Sequence, residues 1–264
     1  MKAAVEFRNL CFAAPQGRLL LQDISLALEE GSTTAILGRS GSGKSTLLRT
    51  VNGMVKPASG AVLLHGKSID GADLVTLRRS IGYVVQETGL FPHFTVERNV
   101  GLVLEAMRQP RAERIHRSHA LLSDVGLDPA GFAQRFPHQL SGGQRQRVGV
   151  ARALAADPRI LLMDEPFGAL DPLTRAEMQD MLRNLLRSMK KTVILVTHDL
   201  DEALYLADRI ALLEEGKLIA VLTPKQFLTS RQPEIEAYVR AFHRGGREED
   251  SQATSAGGMQ EMSR

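Results

Sequence analysis

The chain has 264 residues, 43% hydrophobic and 24% charged, which suits a packed core and excludes wholesale disorder. Lysine and arginine number 33 against 30 aspartate and glutamate, an excess of +3 that is too small to point to nucleic acid as a partner. A single cysteine, Cys11, excludes an internal disulfide or a cysteine-rich metal site. No apolar stretch nears the ~20 residues of a spanning helix, and Glu6 interrupts the N-terminus too early for a secretory signal. These features predict a soluble protein of a reducing, cytosolic compartment, with any membrane role supplied by a partner.

In chain order, Met1 to Leu28 and Ala61 to Asp70 read as short strands and turns of an antiparallel β-layer. Thr33 to Leu37 is an apolar run of the kind buried on both faces of a parallel sheet. Gly38-Arg39-Ser40-Gly41-Ser42-Gly43-Lys44-Ser45-Thr46 follows it, and a helical segment to Val51 comes next. Strand, glycine loop and helix are the setting in which G-x-x-x-x-G-K-[ST] cradles phosphates with its N–H groups. Lys44 is placed to reach the terminal phosphates, and the Ser45 hydroxyl to meet Mg²⁺. Ile81 to Val85 reads as a strand ending at Gln86. Residues 89–156 read as mostly helical, with one apolar face at Val96, Val100, Val103, Leu104 and Met107 and a second helix over Ile115 to Val125. Arg108, Arg111, Arg114 and Arg117 read as solvated charge on those helices.

Ser141 and Gln144 have capping-box spacing at the head of a helix over Gln144 to Ala156. That helix end is an anion site without a lysine beside it. Ile160 to Met163 is another buried strand and delivers Asp164 and Glu165 at its carboxyl end, where open α/β sheets bind ligands. Asp164 suits the Mg²⁺ and Glu165 the polarisation of a water. Met178, Met181, Leu182, Leu185, Leu186 and Met189 mark a core-facing helix, and the strand Val193 to Thr197 ends at His198. The segment 243–264 is polar and reads as a disordered tail. The sum is an α/β P-loop NTPase with a mostly parallel sheet.

Taken with Leu140-Ser141-Gly142-Gly143-Gln144, these motifs resemble those of ABC-type ATPases. The resemblance covers about residues 3 to 242 and rests on six elements in the family's order: Phe12, the phosphate loop, Gln86, the signature, Asp164-Glu165 and His198. It implies one nucleotide-binding domain over 1–242, with a helical subdomain at about 89–156. It also implies that ATP and Mg²⁺ are the cofactors and that residues 38–46 bind the nucleotide. Phe12 stands where the family usually has tyrosine and is expected to stack on adenine. Residues 141–144 are expected to bind the γ-phosphate held by a second copy. Glu165, His198 and Gln86 form the catalytic set, and Ser45, Gln86 and Asp164 the metal set.

The stretches Leu77 to Gln86, Gly89 to His93 and Glu165 to Pro172 are most similar to ATP-binding subunits of importers for osmoprotectants such as glycine betaine, choline and carnitine. Polyamine, sulfonate and amino-acid importers share parts of them, and a soluble non-transport ABC ATPase is a more distant alternative. The implied assembly is a homodimer on the cytoplasmic face of the inner membrane, with transmembrane permease subunits docking at Leu90-Phe91-Pro92 and a substrate-binding protein in the full complex. Some betaine-type subunits carry a C-terminal regulatory domain, and the short tail implies its absence here.

Overall fold

The computed structural model describes residues 2–14, 17–86 and 88–242. The predicted tail at 243–264 lies outside them.

The N-terminal third supplies an antiparallel layer. Strands β1 (Ala3–Ala13), β2 (Leu19–Glu29), β4 (Ser59–Leu64) and β5 (Lys67–Ser68) pair in the order β2-β1-β4-β5. Alternation of buried and exposed residues along β2 matches a sheet with one wet face.

The second sheet has six strands. In addition to β3 (Thr33–Leu37), they are β6 (Ile81–Val84), β7 (Ile160–Asp164), β8 (Thr192–Thr197), β9 (Arg209–Glu214) and β10 (Lys217–Leu222), in the order β10-β9-β3-β8-β7-β6. All pairs are parallel except β9–β10. Every residue of β3, β7 and β8 is buried, because both faces of the sheet are covered.

One face packs on helix α1 (Lys44–Val51) and the antiparallel layer, through Leu47, Leu48, Ile36, Leu162 and Ile194 against Phe7, Leu10 and Ile24. The other face carries α6 (Gly142–Leu154) and α7 (Pro172–Met189). The predicted stripe on α7 is buried at Met178, Leu182, Leu185 and Leu186, with Met181 and Met189 at its rim. Helices α3 (Val96–Ala106), α4 (Arg111–Asp124) and the short α5 (Pro129–Phe132) join this core through Val96, Val100, Leu104, Leu121 and Leu122.

Two expectations within the helical region are corrected. Met107 caps α3 with its side chain exposed, because the helix stops at Ala106. The arginines are not all solvated: Arg114 pairs with Glu105 at 2.7 Å, and Arg117 donates to the Leu154 and Ala155 carbonyls at the end of α6. Helix ends leave carbonyls unpaired, so a nearby guanidinium finds a partner there.

A third core lies beyond β3. Here α8 (Leu200–Leu206), α9 (Pro224–Thr229) and a helix over 233–242 pack through Leu200, Ala203, Phe227 and Ile235.

Candidate nucleotide site

Four neighbouring parallel strands, β3, β8, β7 and β6, end side by side. Leu37 pairs with Thr197, Val196 with Asp164, and Met163 with Val84. The phosphate loop, His198, Asp164-Glu165 and Gln86 therefore emerge along one sheet edge, at the carboxyl ends where such sheets bind ligands.

The loop turns into α1 at Gly43, whose φ is 100°. A Cβ at Gly43 would lie 2.5 Å from the Leu20 carbonyl, so the conformation and the approach of β2 both demand glycine. Lys44 is 4% exposed. Its Nζ donates to the Gly38 carbonyl at 2.8 Å and the Arg39 carbonyl at 2.9 Å. An ammonium has three protons, so one donor remains for a ligand oxygen. Burial pulls the Lys44 pKa below its ordinary value, and Glu165 and Asp164 act against that shift. Ser42 Oγ is buried without a hydrogen-bond partner in the same loop.

Ser45 Oγ donates to Asp164 Oδ1 at 2.6 Å. The other carboxylate oxygen, Oδ2, accepts from Arg49 Nη2 and from the Tyr83 hydroxyl, each at 3.2 Å. Asp164 is thus held on three sides at 1% exposure. Glu165 takes a left-handed backbone, φ 45°, and its N–H donates to the Val196 carbonyl. Its Oε2 lies 3.3 Å from His198 Nδ1 and 3.5 Å from Gln86 Nε2. Gln86 sits two residues past the end of β6.

Glu165, His198 and Gln86 thus converge beside the Lys44–Ser45–Asp164 group. An orphaned serine hydroxyl, a spare ammonium proton and two hard oxygen donors fit a Mg²⁺-bound polyphosphate. Among the described residues no group of three or more His, Cys, Asp or Glu side chains could hold a metal. Ser45 and Asp164 would hold a magnesium ion here, its other ligands coming from phosphate and water.

The signature residues form a separate feature. Ser141 Oγ accepts from the Gln144 N–H at 3.2 Å, and Gln144 Oε1 accepts from the Ser141 N–H at 3.0 Å, closing the capping box. The helix starts at Gly142, two residues earlier than the sequence suggests. A Cβ on Gly143 would come within 2.4 Å of Thr174 Cγ2 at the head of α7, so glycine permits these two helix starts to touch. No hydrogen bond or ion pair is seen between residues 141–144 and residues 38–46. Among the described residues, Phe12 makes no hydrogen bond or ring contact with the phosphate loop. It pairs with Leu21 across β1–β2 and packs its ring partly into the core between the sheets.

Four participants were given no role by sequence reasoning. Arg49 and Tyr83 orient Asp164. Arg152, desolvated on α6, donates to the Thr88 and Gly89 carbonyls and so clasps the loop beyond Gln86. Tyr238 donates to the His198 carbonyl at 3.0 Å. Arg49, Tyr83 and Arg152 had a local signal, as polar residues beside a recognised motif or on its helix, and Tyr238 had none.

A family profile described as "ABC transporter" matches residues 21–168. The chain is 45% identical over 226 residues to the glycine betaine/carnitine/choline transport ATP-binding protein OpuCA of Bacillus subtilis (strain 168), covering 86% of this chain and 58% of that protein. It is 46% identical over 209 residues to the glycine betaine uptake system ATP-binding protein YehX of Escherichia coli (strain K12), covering 79% of this chain and 68% of that protein. Among solved structures, it is similar to the ATP-binding cassette MJ0796, described as a dimeric post-hydrolysis state bound to ADP and Pi. That likeness has a TM-score of 0.75 at 35% identity and covers 83% of this chain and 98% of that one. The profile spans the phosphate loop, the capped signature helix and the Asp164-Glu165 strand end, and with these likenesses it shows that the chain belongs to the ABC transporter family and carries its ATP-binding cassette.

Proposed function

We propose that the chain is the ATP-binding and ATP-hydrolysing subunit of an ABC importer, and that its cargo is an osmoprotectant of the quaternary-amine class. The observation that carries the hydrolytic reading is the Glu165 carboxylate, flanked by His198 and Gln86 beside the Ser45–Asp164 pair. Residues 38–46 bind the phosphates, with Lys44 directing its unused proton toward them. Ser45 and Asp164 hold Mg²⁺, which supplies neutralisation of phosphate charge when bound. Glu165 accepts a proton from the attacking water, Gln86 orients that water, and His198 contacts the γ-phosphate.

The capped N-terminus at Ser141 presents free N–H groups to the γ-phosphate of a second copy, so the working unit is a head-to-tail dimer. The likeness to a dimeric cassette supports that arrangement. Among the described residues no helix is long and apolar enough to cross a membrane. Membrane-spanning permease subunits bind at Phe91, which is 42% exposed and clusters with His93 and Phe94. They hold the chain at the cytoplasmic face of the membrane, and a substrate-binding protein delivers the cargo. The transport functions of OpuCA and YehX support the choice of cargo. An importer of another small solute is the second reading, because this subunit does not touch the cargo.

The test is complementation in cells lacking the subunit. The wild-type chain restores glycine betaine uptake, whereas Glu165→Gln does not, although it still binds ATP. Turnover by the variant falls by roughly a hundredfold or more, the scale of a lost general base. Near-normal turnover by Glu165→Gln overturns the hydrolytic assignment. Unchanged betaine uptake together with loss of another solute moves the cargo.

A further inference from the structure

His198 is an exposed member of the group around Glu165, with 58% of its side chain accessible. A side chain so open to water gains little orientation from packing, so its direction depends on how its backbone is fixed. The structure fixes that backbone on both sides. On one side, the Asp199 N–H donates to Thr197 Oγ1 at 3.0 Å, and the Asp199 side chain caps α8. On the other, the His198 carbonyl accepts from the Tyr238 hydroxyl.

Tyr238 belongs to the helix over 233–242, about 40 residues further along the chain and beyond the segment matched by the family profile. That helix is anchored independently of the site. Ile235 is fully buried against the core formed by Leu200, Ala203, Ile210 and Phe227, and Val239 packs at its edge. Burial pushes the phenol up to about 12, with Arg39 of the phosphate loop lowering it and Asp199 raising it. The hydroxyl therefore keeps its proton and remains a donor across the physiological range.

We propose that Tyr238 is a positioning residue for His198: its hydroxyl fixes the histidine's main-chain carbonyl and thereby holds the imidazole against Glu165. The inference rests on the reading of His198 as a γ-phosphate contact. The hydroxyl is committed to the His198 carbonyl, so its effect is expected in the chemical step and not in nucleotide binding. The rest of the residue is packing, which phenylalanine reproduces.

The experiment compares four full-length chains: wild type, Tyr238→Phe, His198→Ala and the double variant. Single-turnover and steady-state ATP hydrolysis are measured, with melting temperature as the control for folding. Tyr238→Phe is expected to lower the hydrolysis rate about fivefold, the scale of one lost hydrogen bond, with KM for ATP and the melting temperature unchanged. In the His198→Ala background the same substitution is expected to change nothing, because the group it positions is gone. Equal losses in both backgrounds, a raised KM, or an unchanged rate for Tyr238→Phe overturn the proposal. A lowered melting temperature that accounts for the loss does so too. If His198→Ala alone hydrolyses ATP normally, the histidine reading itself fails and takes the proposal with it. That outcome is visible in the single variant, so the two failures are distinguishable.

Discussion

The two proposed anion-binding features of this chain are built on opposite plans. The phosphate end is closed on itself: Lys44 is committed to two carbonyls, Ser45 to Asp164, and Asp164 to Arg49 and Tyr83. The signature end is open. Its capping box satisfies Ser141 and Gln144, and the helix starts at solvent-exposed Ser141 and Gly142, with the Arg145 guanidinium turned back onto the Leu140 carbonyl. A closed site is organised before its ligand arrives and gives up internal bonds to admit it. An open helix end gains its full electrostatic benefit only when a partner brings the charge. One chain therefore carries a socket and a cap that are complementary but do not meet.

The strongest way to break that comparison is to damage each feature in a different copy. Lys44→Ala and Ser141→Arg are each expected to be nearly inactive alone. Mixed, half of the dimers pair one variant with the other, and each such dimer keeps one intact composite site. Recovery of roughly a quarter of wild-type hydrolysis is expected if single sites act independently. No recovery from a mixture shown to exchange subunits, or full activity from a monomeric wild-type chain, breaks the comparison.

A second contrast is in pH. The phosphate half buries Lys44, Asp164 and Glu202, whereas the signature box of Ser141 to Gln144 has no titrating side chain. Glu202, 4% exposed, accepts from the Thr197 hydroxyl behind His198. Its pKa is raised from 4.5 to about 7, chiefly by burial, with the Thr197 bond opposing and Asp199 adding to the rise. Between those two values the folded chain holds a proton that the unfolded chain has released. Stability therefore falls as pH rises through this window and levels off above it, by about 3 kcal/mol at most. Glu202→Gln is expected to flatten that slope in denaturant titrations at a series of pH values. An unchanged slope places the titrating group elsewhere.

The smallest effect sharpens the packing under the open end. Gly143→Ala forces a methyl against Thr174 and is expected to cost about 1–2 kcal/mol in chemical denaturation. Adding Thr174→Ser removes the opposing methyl and is expected to restore most of that loss. Failure of the rescue means that the helix starts are held apart by something other than this contact.

Legibility in the sequence followed distance along the chain. The Ser141–Gln144 box and the loop at Lys44 are local patterns, and the uninterrupted apolar runs gave the three central strands to within a residue. Helix starts were less exact, because glycines that read as loop, such as Gly142, already lie in the first turn. The hidden part was the support around each functional side chain. The contacts of Asp164 with Arg49 and Tyr83 span 115 and 81 residues, and that of His198 with Tyr238 spans 40. Such pairings depend on which strand ends become neighbours, and no periodicity carries that. The misread arginines have the same cause: carbonyl partners at another helix's end are invisible in a charge pattern.

The left-handed backbone at Glu165 has a consequence beyond geometry. A residue with a Cβ in that conformation carries a cost of about 1–2 kcal/mol that glycine would avoid. Its side chain is partly exposed, and among the described residues its close polar contacts are with His198 and Gln86. Selection for thermal robustness alone would therefore erode this glutamate early, while selection for turnover retains it. The two pressures oppose each other at one position, and a heat-hardened descendant of this protein is liable to keep its fold and lose its chemistry.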